Sequence, residues 1–126
     1  MECPKCSAEM ENITYAGVEI DRCTQCQGIW FDMFEAEQLK DLDGSEEVDS
    51  GDMIMGQQMD AIRQIDCPRC NARMLQMVDQ EKLNLRFESC ILCYGIYFDA
   101  GEFRVFKSED RWAGRIWGAM RERLLN

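Results

Sequence analysis

Cys3-Pro4-Lys5-Cys6 and Cys23-Thr24-Gln25-Cys26 recur as Cys67-Pro68-Arg69-Cys70 and Cys90-Ile91-Leu92-Cys93, and these four pairs contain all 8 cysteines of the chain. Between the two pairs lie 16 residues in the first half and 19 in the second. Both spacings are typical of a four-thiolate metal site, in which two tight turns supply two sulfur ligands each. The pattern therefore predicts two metal sites.

Each half contains the whole pattern, so we favour ligand sets within each half over sets that cross between the halves. Zinc is the favoured metal, and iron, held as in rubredoxin-like sites, is the alternative. The predicted zinc ligands are Cys3, Cys6, Cys23 and Cys26 in the first site and Cys67, Cys70, Cys90 and Cys93 in the second.

Short alternating segments around the cysteine pairs predict three strands in each half. A three-stranded sheet that carries two metal-binding turns is a zinc ribbon. The expected fold is therefore small, metal-stabilised and mainly β with short helices, built from tandem zinc ribbons. The predicted strands are 10–15, 18–22 and 29–31 in the first half and 74–78, 83–88 and 96–98 in the second.

The duplication continues beyond the cysteines. Gly28-Ile29-Trp30-Phe31-Asp32 matches Gly95-Ile96-Tyr97-Phe98-Asp99, and a glutamate follows each stretch at the same distance, as Glu35 and Glu102. Each aspartate can cap the start of a short helix while the glutamate reaches back to its backbone. A carboxylate pair for acid–base chemistry is the disfavoured alternative, because neither histidine nor a free cysteine accompanies it.

The chain divides into four predicted segments. The first ribbon with its short helix covers 1–40, an acidic linker with a Met-rich helix covers 41–64, the second ribbon with its helix covers 65–107, and an amphipathic helix covers 108–126. A module of about 40 residues buries too little apolar surface to fold unaided, so each half is expected to need its ion. We expect independent modules, so that Cys26→Ser unfolds the first ribbon and spares the second.

The charge of the chain argues against direct nucleic-acid binding. The formal net charge is −10, from 14 basic and 24 acidic residues, and residues 32–66 hold 11 of the acids. Phosphate binding normally requires a basic surface. The first residues lack a charged and then apolar leader, and no apolar run approaches the length of a membrane span, so a reducing cytoplasmic location is expected.

Two segments outside the repeats are candidates for interaction. Residues 41–50 have the composition of a mobile acidic linker, and 53–62 predict a short helix with Met55, Met59 and Ile62 on one face. Packing between the ribbons is favoured for this helix over binding a partner.

The C-terminal segment, 108–126, predicts a helix with one apolar stripe and several arginines. Packing on the ribbons or self-association is favoured for the stripe, ahead of a partner protein and then an anionic membrane surface. Its members are Trp112, Ile116, Trp117, Met120 and Leu124, and the arginines are Arg111, Arg115, Arg121 and Arg123.

These motifs resemble the prokaryotic zinc-ribbon family named for the transcription-factor-IIB-type zinc finger, in two copies over about two thirds of the chain. The first copy matches at Cys3, Pro4, Cys6, Cys23, Cys26, Gly28, Trp30, Asp32 and Glu35, and the second at Cys67, Pro68, Cys70, Cys90, Cys93, Gly95, Asp99, Gly101 and Glu102. The departures are Phe34 for glycine, Tyr97 for tryptophan, and Ala36 and Phe103 for leucine. The resemblance implies a zinc-ribbon fold with cysteine ligands and without known catalytic residues.

The favoured function is a non-enzymatic adaptor whose acidic linker and C-terminal helix bind a protein partner. The alternative is a factor associated with the transcription machinery, through polymerase or nucleic acid. An enzyme is disfavoured because four cysteines close the coordination shell of zinc and the chain has no histidine.

Overall fold

Each repeat forms three antiparallel strands around its cysteine pairs, in a computed structural model that describes residues 1–80 and 85–108. The strands are β1 (Met10–Tyr15), β2 (Val18–Cys23), β3 (Ile29–Phe31), β4 (Leu75–Asp79), β5 (Leu85–Ser89) and β6 (Ile96–Phe98). The described helices are α1 (Glu35–Lys40), a 3₁₀ helix (Ser45–Val48), α2 (Met53–Asp60) and α3 (Glu102–Ser108). The prediction of a mainly β fold with short helices is confirmed.

The first hairpin has the two-residue turn that its sequence predicts. Tyr15 pairs with Val18, and Ala16 and Gly17 between them have φ angles of 50° and 84°. Two consecutive positive φ angles match the right-handed twist of a hairpin. The corresponding turn of the second half includes residues outside the described ranges.

The two ribbons share one sheet. β3 pairs antiparallel with β6, which gives the strand order β1-β2-β3-β6-β5-β4. Trp30 lies opposite Tyr97 at the middle of this pairing, and these two residues also occupy the same position in their repeats. A pseudo-two-fold axis therefore relates the halves, and equivalent residues of the repeats lie on opposite sides of it.

The core has two layers, one on each face of the sheet. Ile29 and Phe31 of β3 point to one face, where they pack with Phe98 and with Leu39 and Phe103 from α1 and α3. The intervening residues Trp30 and Tyr97 belong to the other layer, which contains cysteines of both repeats. Successive side chains along a strand point to opposite faces of the sheet, so the aliphatic and aromatic layer lies on one face and the cysteine-rich layer on the other.

Part of the acidic linker is integrated into the fold, which corrects the prediction that it is mobile. Ser45 and Asp49 are 0% and 1% exposed. The Asp49 carboxylate accepts hydrogen bonds from the backbone N–H groups of Gly101 and Arg104, at 2.9 and 3.0 Å. An acidic side chain at the positive end of α3 satisfies amides that have no partner within the helix.

The predicted Met-rich helix is present as α2, and it packs through a different face. Gly56 is the buried residue of α2, where it contacts the backbone of Ala100 so closely that a Cβ would lie 1.9 Å from the Ala100 carbonyl oxygen. Met59 packs against the cysteine-rich layer, whereas Met55 and Ile62 are 37% and 40% exposed. The helix α2 therefore packs through Gly56 and Met59. Of the three residues on the predicted apolar face, only Met59 takes part.

The helix-start prediction is half correct. The Glu35 and Glu102 carboxylates accept the N–H groups of Asp32 and Asp99, at 3.2 and 2.6 Å. The aspartate side chains do not cap these helices; α1 instead begins after Phe34, in the left-handed conformation with φ 68°. Both aspartates are engaged by basic residues of the opposite repeat.

Among the described residues, none of the helices is both long enough and apolar enough to span a membrane. The predicted C-terminal helix and its Trp/Arg stripe, beyond Ser108, lie outside the described residues.

Candidate metal centres

The first metal centre is formed by two turns that flank β1 and β2. Cys3 and Cys6 precede β1, while Cys23 ends β2 and Cys26 follows it. The four Sγ atoms lie within 4.8 Å of one another, with Cys3 to Cys26 at 3.7 Å and Cys6 to Cys23 at 3.3 Å. All of these thiols are free of disulfides.

The second centre repeats this construction in the other half. Its four Sγ atoms, from Cys67, Cys70, Cys90 and Cys93, also lie within 4.8 Å of one another. Cys67 and Cys93 are 3.7 Å apart, and both are free thiols. The structure thus brings all eight predicted residues together in two sets of four, one set in each repeat.

Each cysteine turn aims backbone N–H groups at sulfur. The amides of Lys5 and Arg69 lie 3.4 Å from the Sγ atoms of Cys3 and Cys67. A left-handed residue follows the second cysteine of every pair, with φ of 66° at Ser7, 65° at Gln27, 59° at Asn71 and 60° at Tyr94. In this conformation the chain turns back after the second cysteine of the pair, and backbone N–H groups of the turn face the sulfur atoms.

Both clusters fit a tetrahedral ion bound by sulfur. Zn–S bonds of about 2.3 Å place the sulfur atoms about 3.8 Å apart, close to the separations observed here. Four thiolates carry more negative charge than one divalent ion neutralises, and the N–H groups directed at sulfur reduce that excess. The donor sets therefore fit zinc, which would hold the two turns of each repeat together.

The sulfurs of the first cluster lie close enough to share protons, with Cys3 and Cys26 3.7 Å apart. A hydrogen bond from Cys26 lowers the pKa of Cys3 to about 4, and the same bond raises the pKa of Cys26 well above its usual value. Sulfurs this close do not all ionise unless a cation neutralises them. Metal binding at this centre must accordingly release protons.

Tyr97 connects the second repeat to the first metal centre. Its hydroxyl lies 3.2 Å from Cys3 Sγ and 3.4 Å from Cys26 Sγ. Burial raises the pKa of Tyr97, so the hydroxyl keeps its proton and can donate a hydrogen bond to a thiolate sulfur. Gly28 leaves room for this contact, because a Cβ there would lie 1.8 Å from the phenolic oxygen.

Trp30 is the equivalent residue and makes a different contact with the second centre. Its indole ring packs on Gly95, where a Cβ would lie 2.1 Å from the ring. The indole N–H donates to Asp32 at 3.0 Å instead of reaching a sulfur. The glycine after each second cysteine pair is therefore explained by the aromatic residue of the opposite repeat.

Lys5, inside the first cysteine turn, forms a buried ion pair with the second repeat. Its ammonium group lies 2.7 Å from Asp99 and 2.8 Å from Glu88, and the side chain is 0% exposed. The ammonium also donates to the carbonyl oxygen of Met59 at 3.1 Å. A buried charge with these partners holds the first cysteine turn against β5, β6 and α2.

Arg69 is the equivalent of Lys5 in the second cysteine turn. It donates to Asp32 at 2.8 Å and lies 3.6 Å from Asp21, the counterparts of Asp99 and Glu88. Its side chain is 44% exposed. The two ion-pair sets are thus related by the pseudo-two-fold axis, but only the one around Lys5 is removed from water.

A third group of possible ligand atoms belongs to Asp60, Asp99 and Glu102, whose carboxylate oxygens lie within 4.8 Å of one another. Burial and the neighbouring Asp99 charge raise the pKa of Glu102 to about 9. Burial also raises the pKa of Asp99, to about 6. Lys5 pairs with Asp99 at 2.7 Å and Arg63 lies 3.8 Å from Asp60, so basic side chains of the chain itself neutralise the two aspartates.

Sequence reasoning missed three residues around the centres, which are Lys5, Glu88 and Tyr97, and it missed Asp49 at the start of α3. The signal for Tyr97 was its replacement of the tryptophan expected at that position. Lys5 and Arg69 carried a weaker signal, because both cysteine turns of that type have a basic residue between proline and cysteine.

Comparison with known proteins supports this reading of the repeats. The family model described as "Transcription factor zinc-finger" matches residues 2–42 and 66–108. Each match contains one complete set of four cysteines. None of the curated proteins and none of the solved structures matches the chain.

Proposed function

Because the chain belongs to the transcription factor zinc-finger family through both of its repeats, we propose that it is a non-enzymatic, zinc-binding adaptor of the cytoplasm. In this role, two zinc ions stabilise a scaffold that presents interaction segments to a protein partner. The segments are the exposed part of the connector around α2 and residues 108–126.

The composition of the metal centres supports a scaffolding role. Four cysteines close the coordination shell of zinc and leave no position for a substrate or water. Cys3, Cys23, Cys26, Cys67 and Cys90 are also buried. An ion held in this way contributes to folding free energy and not to chemistry at the metal.

The exposed surface of α2 is the observation that carries the adaptor proposal. Met53, Ile54 and Met55 are consecutive and are 48%, 64% and 37% exposed. The helix is anchored beneath them by Gly56 and capped by Asp52, whose side chain accepts the Ile54 N–H at 2.8 Å. Exposed methionine and isoleucine on an anchored helix form an adaptable apolar surface of the kind that binds proteins.

The family supports a transcription-associated partner as the second candidate. The net charge of −10 disfavours direct contact with nucleic acid, so this candidate is better supported as contact with a protein of the machinery, such as polymerase. In that form it is a special case of the adaptor.

Affinity purification from the source cells tests the adaptor. Full-length protein is compared with a variant carrying Ile54→Gln and Met55→Gln on α2 and with one carrying Trp112→Ala and Trp117→Ala. A control carries Leu75→Gln and Val78→Gln, which change exposed apolar residues of β4. A specific partner kept by the control and lost from either variant is expected; equal recovery by all four proteins would reject these surfaces.

Metal analysis of freshly purified native protein tests the ions directly. Two zinc per chain are expected, one for each set of four cysteines. Stoichiometric iron with visible absorption and a reversible couple would instead favour the rubredoxin-like alternative.

A further inference from the structure

The pseudo-two-fold axis creates two equivalent grooves, and the connector covers one of them. That groove is formed by Ala100 and Gly101 with Gln27 from the opposite repeat. Gly56 contacts the Ala100 backbone, Met53 lies against Gly101, and Gly51 packs on Gln27 and Ala100, each so closely that a Cβ on the glycine would clash. The segment that follows α1 therefore crosses the axis and seals the groove of the second repeat.

The equivalent positions on the other side of the axis are Met33, Phe34 and Tyr94, which we call the aromatic patch. They are 47%, 63% and 62% exposed. Together with Glu37 they line a cavity of about 300 Å³. Large apolar side chains stand here in place of Ala100, Gly101 and Gln27, and no segment within 1–80 or 85–108 covers them as α2 covers the first groove.

Chain order identifies the occupant. The connector starts where α1 ends, at Lys40, and crosses to the groove beside α3. If the residues that follow α3, which ends at Ser108, keep this symmetry, they reach the groove beside α1. Residues 41–58, which are 18 residues, carry the connector from the end of α1 past Gly56. Residues 109–126 are also 18 residues, so the segment after α3 is long enough for the equivalent path.

The sequence of this segment also suits the patch. Gly118-Ala119-Met120 stands as far beyond Glu102 as Gly51-Asp52-Met53 stands beyond Glu35, so the glycine and methionine that seal the first groove have counterparts. Trp112 and Trp117 supply the larger apolar area that an aromatic patch can bury. Four arginines within the segment complement Glu37 and the acidic remainder of the chain.

We propose that residues 109–126 dock within the same molecule on the aromatic patch, as the symmetry counterpart of the connector. Docking concerns the isolated chain and goes beyond the adaptor function. A partner that binds the apolar stripe around Trp112 and Trp117 would compete with the aromatic patch for the same side chains. Docking on the patch therefore regulates how much of the segment is free to bind a partner.

A variant that copies the first groove onto the second tests docking. Phe34→Gly and Tyr94→Gln install the residues found at Gly101 and Gln27 and remove both aromatic rings. Phe34 has φ 68°, a conformation that glycine adopts without strain, so the fold is retained. Leu75→Gln, on β4 where the side chain is 50% exposed, is the matched control.

Hydrogen exchange of the zinc-loaded full chain provides the readout. Docking predicts protected amides within 109–126 in the unmodified protein and the control, and a fall in protection of about tenfold or more in the double variant while β3 and β6 stay protected. Unprotected amides in the unmodified protein, or equal protection in all three, would overturn the proposal. So would protection that depends on protein concentration, which indicates a second copy as the occupant.

A photo-reactive phenylalanine analogue at position 34 provides independent evidence. Cross-links from this position to peptides of 109–126 within one monomer are expected, whereas cross-links only between chains contradict docking in cis. Partner capture from cells is a separate measurement, so failure of the adaptor proposal and failure of docking are distinguishable.

Discussion

The hydroxyl of Tyr97 lies 3.2 Å from the Sγ of Cys3, so a residue of the second repeat completes the surroundings of the first metal centre. The relationship is not reciprocal, because Trp30 at the equivalent position donates to Asp32 and not to a sulfur. The two centres are therefore chemically unequal although their ligand sets are the same, and the first depends on the folding of the second repeat.

Tyr97→Phe is expected to weaken metal binding at the first centre and to spare the second. Groups that hydrogen bond to metal ligands typically contribute a factor of about 10–100 in metal affinity. Competition with a chromophoric zinc chelator should therefore resolve one weakened and one unchanged site. Tyr94→Phe removes an exposed hydroxyl and is the control; equal weakening of both sites by Tyr97→Phe would contradict the assignment.

Lys5→Ala is expected to destabilise the zinc-loaded protein far more than Arg69→Ala. Loss of Lys5 leaves Glu88 and Asp99 buried without a cation, which typically costs about 3–5 kcal/mol. Arg69 is 44% exposed, and loss of such a pair typically costs about 1 kcal/mol or less. Urea unfolding at saturating zinc measures the difference, and zinc content is determined in parallel because Lys5 adjoins Cys6. If the two substitutions lowered the free energy of unfolding equally, the burial of Lys5 would not explain its contribution to stability.

The metal centres and the strands were predictable because their signals are local. Each cysteine turn and each hairpin is specified by residues within a few positions of one another, and the spacing of the pairs fixes which turns meet. The pairing of β3 with β6 was not predictable in this way. Each strand has three residues, and the choice of partner depends on how Trp30 and Tyr97 fit glycines of the opposite repeat.

The acidic linker was misjudged for a related reason. Glycine, serine and acids are typical of mobile segments, and composition alone does not distinguish an exposed aspartate from one that caps a distant helix. Asp49 becomes buried because Gly101 and Arg104, more than 50 positions away, present their amides to it. The same limitation hid Lys5, whose carboxylate partners come from the other half of the chain.

Cys26→Ser is expected to disturb both repeats, in contrast to the independent modules that the duplication predicts. Loss of the first metal frees the turn that precedes β3, and β3 is paired with β6. Hydrogen exchange should show lower protection in Ile96–Phe98 as well as in Ile29–Phe31, and the zinc content should fall below two per chain. Cys93→Ser is the reciprocal control. Unchanged protection of β6 in Cys26→Ser would restore the view of the ribbons as independent units.

Glu102→Gln is expected to stabilise the zinc-loaded protein at alkaline pH. Burial and the nearby Asp99 carboxylate raise the pKa of Glu102 from 4.5 to about 9 in the folded state. A raised carboxyl pKa means that stability is fully present below about pH 4.5 and is lost as the pH rises toward 9. Glutamine keeps an oxygen that can accept the Asp99 N–H, which now donates to Glu102 at 2.6 Å, and it carries no charge to bury.

The advantage of the variant over the unmodified protein in unfolding free energy should grow between pH 6 and pH 9, by on the order of 1–3 kcal/mol. Urea unfolding at saturating zinc between these values measures the trend and avoids the acidic range in which thiols lose metal. Glu37→Gln, at an exposed position of α1, controls for a change in net charge. A difference between Glu102→Gln and the unmodified protein that stays constant from pH 6 to 9 would show that Glu102 is ionised throughout, contrary to its burial beside Asp99.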